Sequence, residues 1–195
     1  MATNDDQRGG KLDRFLIANL SDSVDRLRYT YKAQEKAASR CAFYESVRTW
    51  ILIACTVLAT GTFVTAIFAL TGSEQLGSLT VGLLAMLATL ASFLGDVLDF
   101  SARQREHHDA GAQVRSLFVR CETLLSDYCA GAITAEAARK LRDELQEATD
   151  QLLPTVPRTM RRDYKKADKS IATDERTSVS LEAALNDFRS EKLGK

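Results

Sequence analysis

His107 and His108 stand side by side between Glu106 and Asp109, four side chains of types that bind metal ions or move protons near neutral pH. Helical geometry argues against a shared ion. Neighbours on a helix point ~100° apart, and a zinc-binding helix spaces its histidines by four. His107 is therefore expected to make a structural polar contact, with metal binding or pH sensing as the alternative. A second charged group precedes it, formed by Asp96, Asp99 and Arg103. If several copies assemble, acids at that position can form a carboxylate ring that favours cations. The ordinary role for Arg103 is an ion pair with an acid opposite, such as Glu45, or snorkelling to lipid headgroups. The third group is a basic run, Arg158, Arg161, Arg162, Lys165, Lys166 and Lys169, set against Asp163 and Asp168. It reads as an exposed helix face, as a contact for anionic lipid, or as a contact for a phosphate-rich nucleotide. There is no Gly-rich phosphate loop, no G-x-S-x-G turn and no paired-carboxylate constellation. The chain is thus expected not to be an enzyme and to need no cofactor or metal.

The elements that must position these groups are dominated by one stretch. Glu74 is the only charge between Arg48 and Asp96, so residues 49–73 and 75–95 form two uncharged runs. Either can cross a bilayer, since about 20 apolar residues in a helix span its ~30 Å core. Two buried helices of a soluble bundle are the competing possibility, but these helices would be apolar on every face. Gly61-x-x-x-Thr65 and Ala91-x-x-x-Gly95 are spacings of small residues that let helices approach closely. The link between the runs carries no Lys or Arg, whereas Arg40, Arg48, Arg103 and Arg105 flank them. Both termini are therefore expected in the cytoplasm, with only the link outside. The four cysteines (Cys41, Cys55, Cys121 and Cys129) form no C-x-x-C pair and are expected to be reduced and mostly buried. Zero formal net charge gives no support for nucleic acid as a partner.

Both flanks show helical periodicity. Val24, Leu27, Tyr31, Ala38 and Cys41 form a seam broken by Gln34, and Ser21 to Ser23 are expected to cap the helix that carries it. Phe100, Arg103, His107, Ala110, Val114, Leu117, Cys121, Leu124 and Tyr128 form a second seam. The second span is expected to continue into it without a break. A turn at Gly131, a cap at Thr134 and an apolar face of Ala137, Leu141, Leu145, Ala148 and Leu152 predict a further helix, stopped by Pro154 and Pro157. Ser180 is expected to cap a short final helix.

The expected fold class is an all-α membrane protein: a two-span transmembrane helical hairpin continuous with long cytosolic helices that form an antiparallel coiled-coil-like bundle. The expected segments are a disordered or short helical start at 1–21 and a central domain at 22–153. The central domain comprises a cytosolic helix 22–48, spans 49–71 and 76–98, and cytosolic helices 99–129 and 134–153. A basic helical segment with a flexible tail follows at 154–195.

The order of these features resembles the SLATT domain. The resemblance rests on the Tyr-rich helix from Arg28 to Ala33, the two-span hairpin, Ala102-x-x-x-x-His107 and Ala112-x-x-x-x-Leu117, over roughly residues 27–153. It implies a bacterial defence effector that oligomerises and forms a pore or perturbs the membrane when a nucleotide-synthesising or nucleotide-sensing partner signals. The family is known for no catalytic residues, and His107 stands where relatives often carry a His after the second span. A non-enzymatic membrane anchor that recruits a cytosolic partner is the alternative reading. An accessory subunit that docks an enzyme through the basic segment is a third.

Overall fold

The computed structural model describes residues 3–60, 68, 70 and 74–174. Its regular elements are α1 (Thr3–Thr60), α2 (Glu74–Leu98), α3 (Phe100–Cys129), α4 (Ala135–Leu152), a 3-10 turn over Leu153–Thr155, and α5 (Arg161–Asp174). Gly61, the link residues 71–73 and the expected helix after Ser180 lie outside the described residues. The chain divides into two compact units, Met1–Ala37 with Glu106–Lys195, and Ala38–Arg105.

The helix start expected near Ser21 is not used, and α1 passes through without a break. Ser23 turns its hydroxyl back onto the Asn19 carbonyl at 2.9 Å instead of capping a new helix. Arg26 pairs with Asp22 one turn earlier at 3.2 Å. The buried stripe is also continuous, because Leu16 and Leu20 fall in register with Val24, Leu27 and Tyr31. A shared buried face keeps the helix in one piece where capping chemistry would have allowed two.

In the first unit this stripe packs on Val114, Leu117, Cys121, Leu124 and Leu125 of α3 and on Ala138 and Leu145 of α4. The two seams read from the sequence therefore meet. Tyr31 and Phe118 stack tilted, with ring centroids 5.2 Å apart. Gly131 takes φ +73° after α3, a conformation that costs glycine nothing. Thr134 then caps α4, accepting from the Ala137 N–H at 3.3 Å. The buried face of α4 is turned from the expected one. Ala138 and Leu145 are buried, with Ala148 and Leu152 partly so, whereas Ala137 and Leu141 are exposed. The 138–145–152 heptad spacing is the one that packs on α1 and α3, and it leaves Arg142 half-buried at the rim.

The second unit contains the end of α1, α2 and the first turn and a half of α3. Its large apolar side chains point outward: Trp50 is 68 % exposed, Leu79 69 % and Phe93 63 %. Burying such a side chain is worth about 1.5–3 kcal/mol, so water is the wrong solvent for this surface. Both apolar helices meet the length and composition of membrane spans. The expected unbroken passage from the second span into α3 is corrected by one residue. Asp99 adopts φ 37° and separates α2 from α3. The backbone ladder is kept on either side, with Asp99 N–H bonding the Gly95 carbonyl at 2.9 Å and Arg103 N–H bonding the Asp99 carbonyl at 3.1 Å. The Asp99 carboxylate accepts from the Ala102 N–H at 3.0 Å, capping α3. A short side chain that bonds locally is what makes this left-handed conformation accessible to an L-residue.

Candidate functional site

At the end of the hairpin that carries the charged residues, α1 and α2 meet through Arg48 and Gly95. The Arg48 guanidinium lies over Gly95 in the space that a Cβ would occupy. It also bonds Glu45 at 2.6 Å, one turn back on α1, and both side chains are only 24 % exposed. The Arg48 Nε is buried without a hydrogen-bond partner. Glu45 is thus held by Arg48, and the expected Glu45–Arg103 pair does not form: Arg103 is exposed. Its place on the seam is corrected with it, because the Asp99 break resets the phase of α3 at its first turn. Asp96 and Asp99 are exposed, and Ala91 is half-buried. Tyr44 and Phe100 stack tilted beside this cluster, 5.6 Å between centroids.

In the first unit, His107 is buried, and its Nδ1 lies 2.6 Å from Gln34 Oε1. Gln34 is itself 2 % exposed and donates from Nε2 to the Pro157 carbonyl at 2.7 Å. A proline carbonyl only accepts, which fixes the orientation of the Gln34 amide. Its Oε1 in turn requires the hydrogen on His107 Nδ1. Gly111 lies against this bridge, where an added Cβ would come into van der Waals contact with the Gln34 Cβ at 3.4 Å. The structural reading of His107 is the one this geometry supports. Gln34, which had only appeared to interrupt a seam, is the residue that sequence reasoning missed. The signal was present: Gln34 breaks one seam and His107 lies on the other, and an antiparallel pairing brings these two together.

The Gln34–Pro157 bond ties down the turn that leads into α5. Asp163 is buried beneath that helix, accepting from the Met160 N–H at 3.0 Å while its own N–H bonds the Met160 carbonyl at 2.8 Å. This reciprocal pair starts the helix. Ala167 is fully buried on the same side. Asp168 accepts from the Tyr29 hydroxyl at 3.0 Å, and this bond is the main cause that raises the Tyr29 pKa. Arg158, Arg161, Arg162, Lys165, Lys166 and Lys169 are all exposed. Across the core, Tyr128 donates to Asp13 at 2.7 Å, and burial followed by that bond pushes its pKa up to about 12. The four cysteines are free, and burial pushes the Cys121 thiol up, away from reactivity. A cavity of ≈ 80 Å³ between α1, α3 and α4, with Leu27 and Cys121 in its lining, is the size of a few waters. Small-molecule sites are usually ~300 Å³ or more.

Helices throughout, and two of them apolar and facing outward, define an all-α, two-span membrane protein. The chain belongs to the SMODS and SLOG-associating 2TM effector domain family 4, the SLATT class, whose match covers residues 16–182. That is an effector domain associated with nucleotide-signalling systems and not a known catalytic family. The match takes in α5 whole. No curated protein and no solved structure matches the chain.

Proposed function

We propose that this protein is the membrane-embedded effector of a bacterial anti-phage or conflict system. A nucleotide-signalling partner triggers it, and it then assembles into oligomers that open a pore in, or otherwise breach, the inner membrane. The observation that carries this reading is the effector-family match over 16–182, joined to a hairpin whose charged end is packed through Arg48 and Gly95. A single hairpin cannot enclose a pore, so several copies are required. Asp96 and Asp99 are exposed at that end, and their carboxylates support the reading of a cation-favouring mouth. Opening would remake the bonding among α1, α2 and α3, including the Arg48–Gly95 contact and the Arg48–Glu45 pair beside it.

The test is expression in bacterial cells loaded with a membrane-potential dye, with and without the nucleotide-producing partner. Collapse of the potential and growth arrest are expected only when the partner is present. Gly95→Leu, which fills the space of the Arg48 guanidinium, and Ala91→Leu are expected to abolish both effects. A potential that stays normal under every activating condition overturns the pore and leaves the anchor.

A further inference from the structure

We propose that copies of this protein dock on one another through charge, with the basic face of α5 on one copy seated against the acidic face of α4 on the next. Both faces belong to the first unit and both point away from its core. On α5, Arg161, Arg162, Lys165, Lys166 and Lys169 are exposed, and at ~100° per residue they fall within a stripe of roughly 140°. Asp163 and Ala167, the buried residues of the helix, lie on its other side. Neither acid of this segment sits in the stripe: Asp163 is buried in the helix start, and Asp168 accepts from Tyr29.

On α4, Glu136, Asp143, Glu144, Glu147 and Asp150 are exposed, within a stripe of roughly 120° opposite Ala138 and Leu145. Lys140 is the exposed cation among them, and half-buried Arg142 pairs with Asp143 at 2.6 Å, which leaves Glu136, Glu144, Glu147 and Asp150 against one lysine. The basic stripe is about 12 Å long and the acidic one about 21 Å, at ~1.5 Å per residue, so the first fits within the second. Each helix is held by its docked face, α4 by Leu145 in the core and α5 by the Tyr29–Asp168 bond. The stripes are therefore presented on helices fixed to the core, and a row of charges along a helix suits another charged surface. Complementary faces at different places on one chain give a head-to-tail contact, which propagates into a ring or a chain of copies. This rests on the assembly required above and names the surfaces that make it.

The experiment uses the full chain in uncharged detergent, labelled with donor and acceptor dyes in separate batches and mixed. Energy transfer between copies is expected at low salt and is expected to fall as ionic strength rises and the screening length shrinks from ~10 Å at 0.1 M to ~3 Å at 1 M. The triple variant Lys165→Glu, Lys166→Glu, Lys169→Glu is expected to weaken self-association by about tenfold or more, because attraction becomes repulsion at several positions. Glu144→Lys, Glu147→Lys, Asp150→Lys is expected to do the same. An equimolar mixture of the two variants restores opposite charges at each junction and should recover energy transfer, a result that misfolding of either could not produce. Wild-type-like association of both variants overturns the proposal while leaving the effector reading in place. Loss without recovery in the mixture also overturns it. If the α5 variant alone also loses binding to vesicles of anionic phospholipid, the basic face serves the lipid surface instead. A wild-type chain that stays monomeric at low salt overturns this proposal and the assembly step of the effector reading together.

Discussion

Asp99 holds φ at 37° and accepts a hydrogen bond from the Ala102 N–H, so one residue both bends the chain and starts the next helix. Alanine keeps the Cβ that aspartate already carries in this conformation but loses the carboxylate cap, worth ~0.5–2 kcal/mol. Asp99→Ala is thus expected to destabilise the detergent-solubilised protein by about 0.5–2 kcal/mol in a thermal or denaturant melt. Asp99→Asn should stay close to wild type, and equal stability of the alanine and aspartate forms would remove the capping role. Tyr128 gives a pH signature at the same scale. Its folded pKa, pushed up to about 12, lies above the unfolded value near 10, so the folded state holds the proton more tightly. The resulting stability is fully present below pH ~10 and is lost as pH rises through about 12. Tyr128→Phe should flatten the stability profile over that window, and a phenolate absorbance titration should lose its latest-titrating component. An unchanged titration would sink the assignment.

Between elements, Gln34 ties α1 to His107 of α3 and to the Pro157 carbonyl ahead of α5. Gln34→Leu keeps the volume but leaves a buried imidazole N–H and a carbonyl unpaired, at roughly 1–3 kcal/mol for each. The expected outcome is faster amide hydrogen exchange through residues 157–163, with the Leu124–Leu145 core little changed. Equal exchange in the variant would show that Gln34 does not hold the turn. The seams that meet here were legible because their period repeats over several turns, and burial on one face is what such repetition encodes. The rotation of α4 was not legible. Ala137 and Ala138 are chemically alike, and only the space left by α1 and α3 selects Ala138 as the fully buried one.

At the scale of the whole chain, the apolar surface of the hairpin needs lipid, and the Lys and Arg at its flanks set the expected orientation. A cysteine introduced as Ser73→Cys should react with a membrane-impermeant thiol reagent added outside intact cells. The native thiols make a workable background, since Cys41, Cys55 and Cys121 are buried and Cys129 is half-buried. Labelling that requires broken cells would reverse the proposed topology.

Two uncharged runs and two heptad seams were enough, by themselves, to determine an all-helical chain with paired spans. Membrane length and helical period are properties of a segment, and they can be counted along it. The partners of the charged residues were decided by tertiary structure. Glu45 could have met Arg103, but Gly95 leaves space for Arg48 and the Asp99 bend takes Arg103 out of the seam. His107 could have been a ligand, but Gln34 reaches it first across the pairing of α1 and α3. Each outcome depends on which residue fills a particular gap between helices, and a gap has no address in the sequence until the helices have packed.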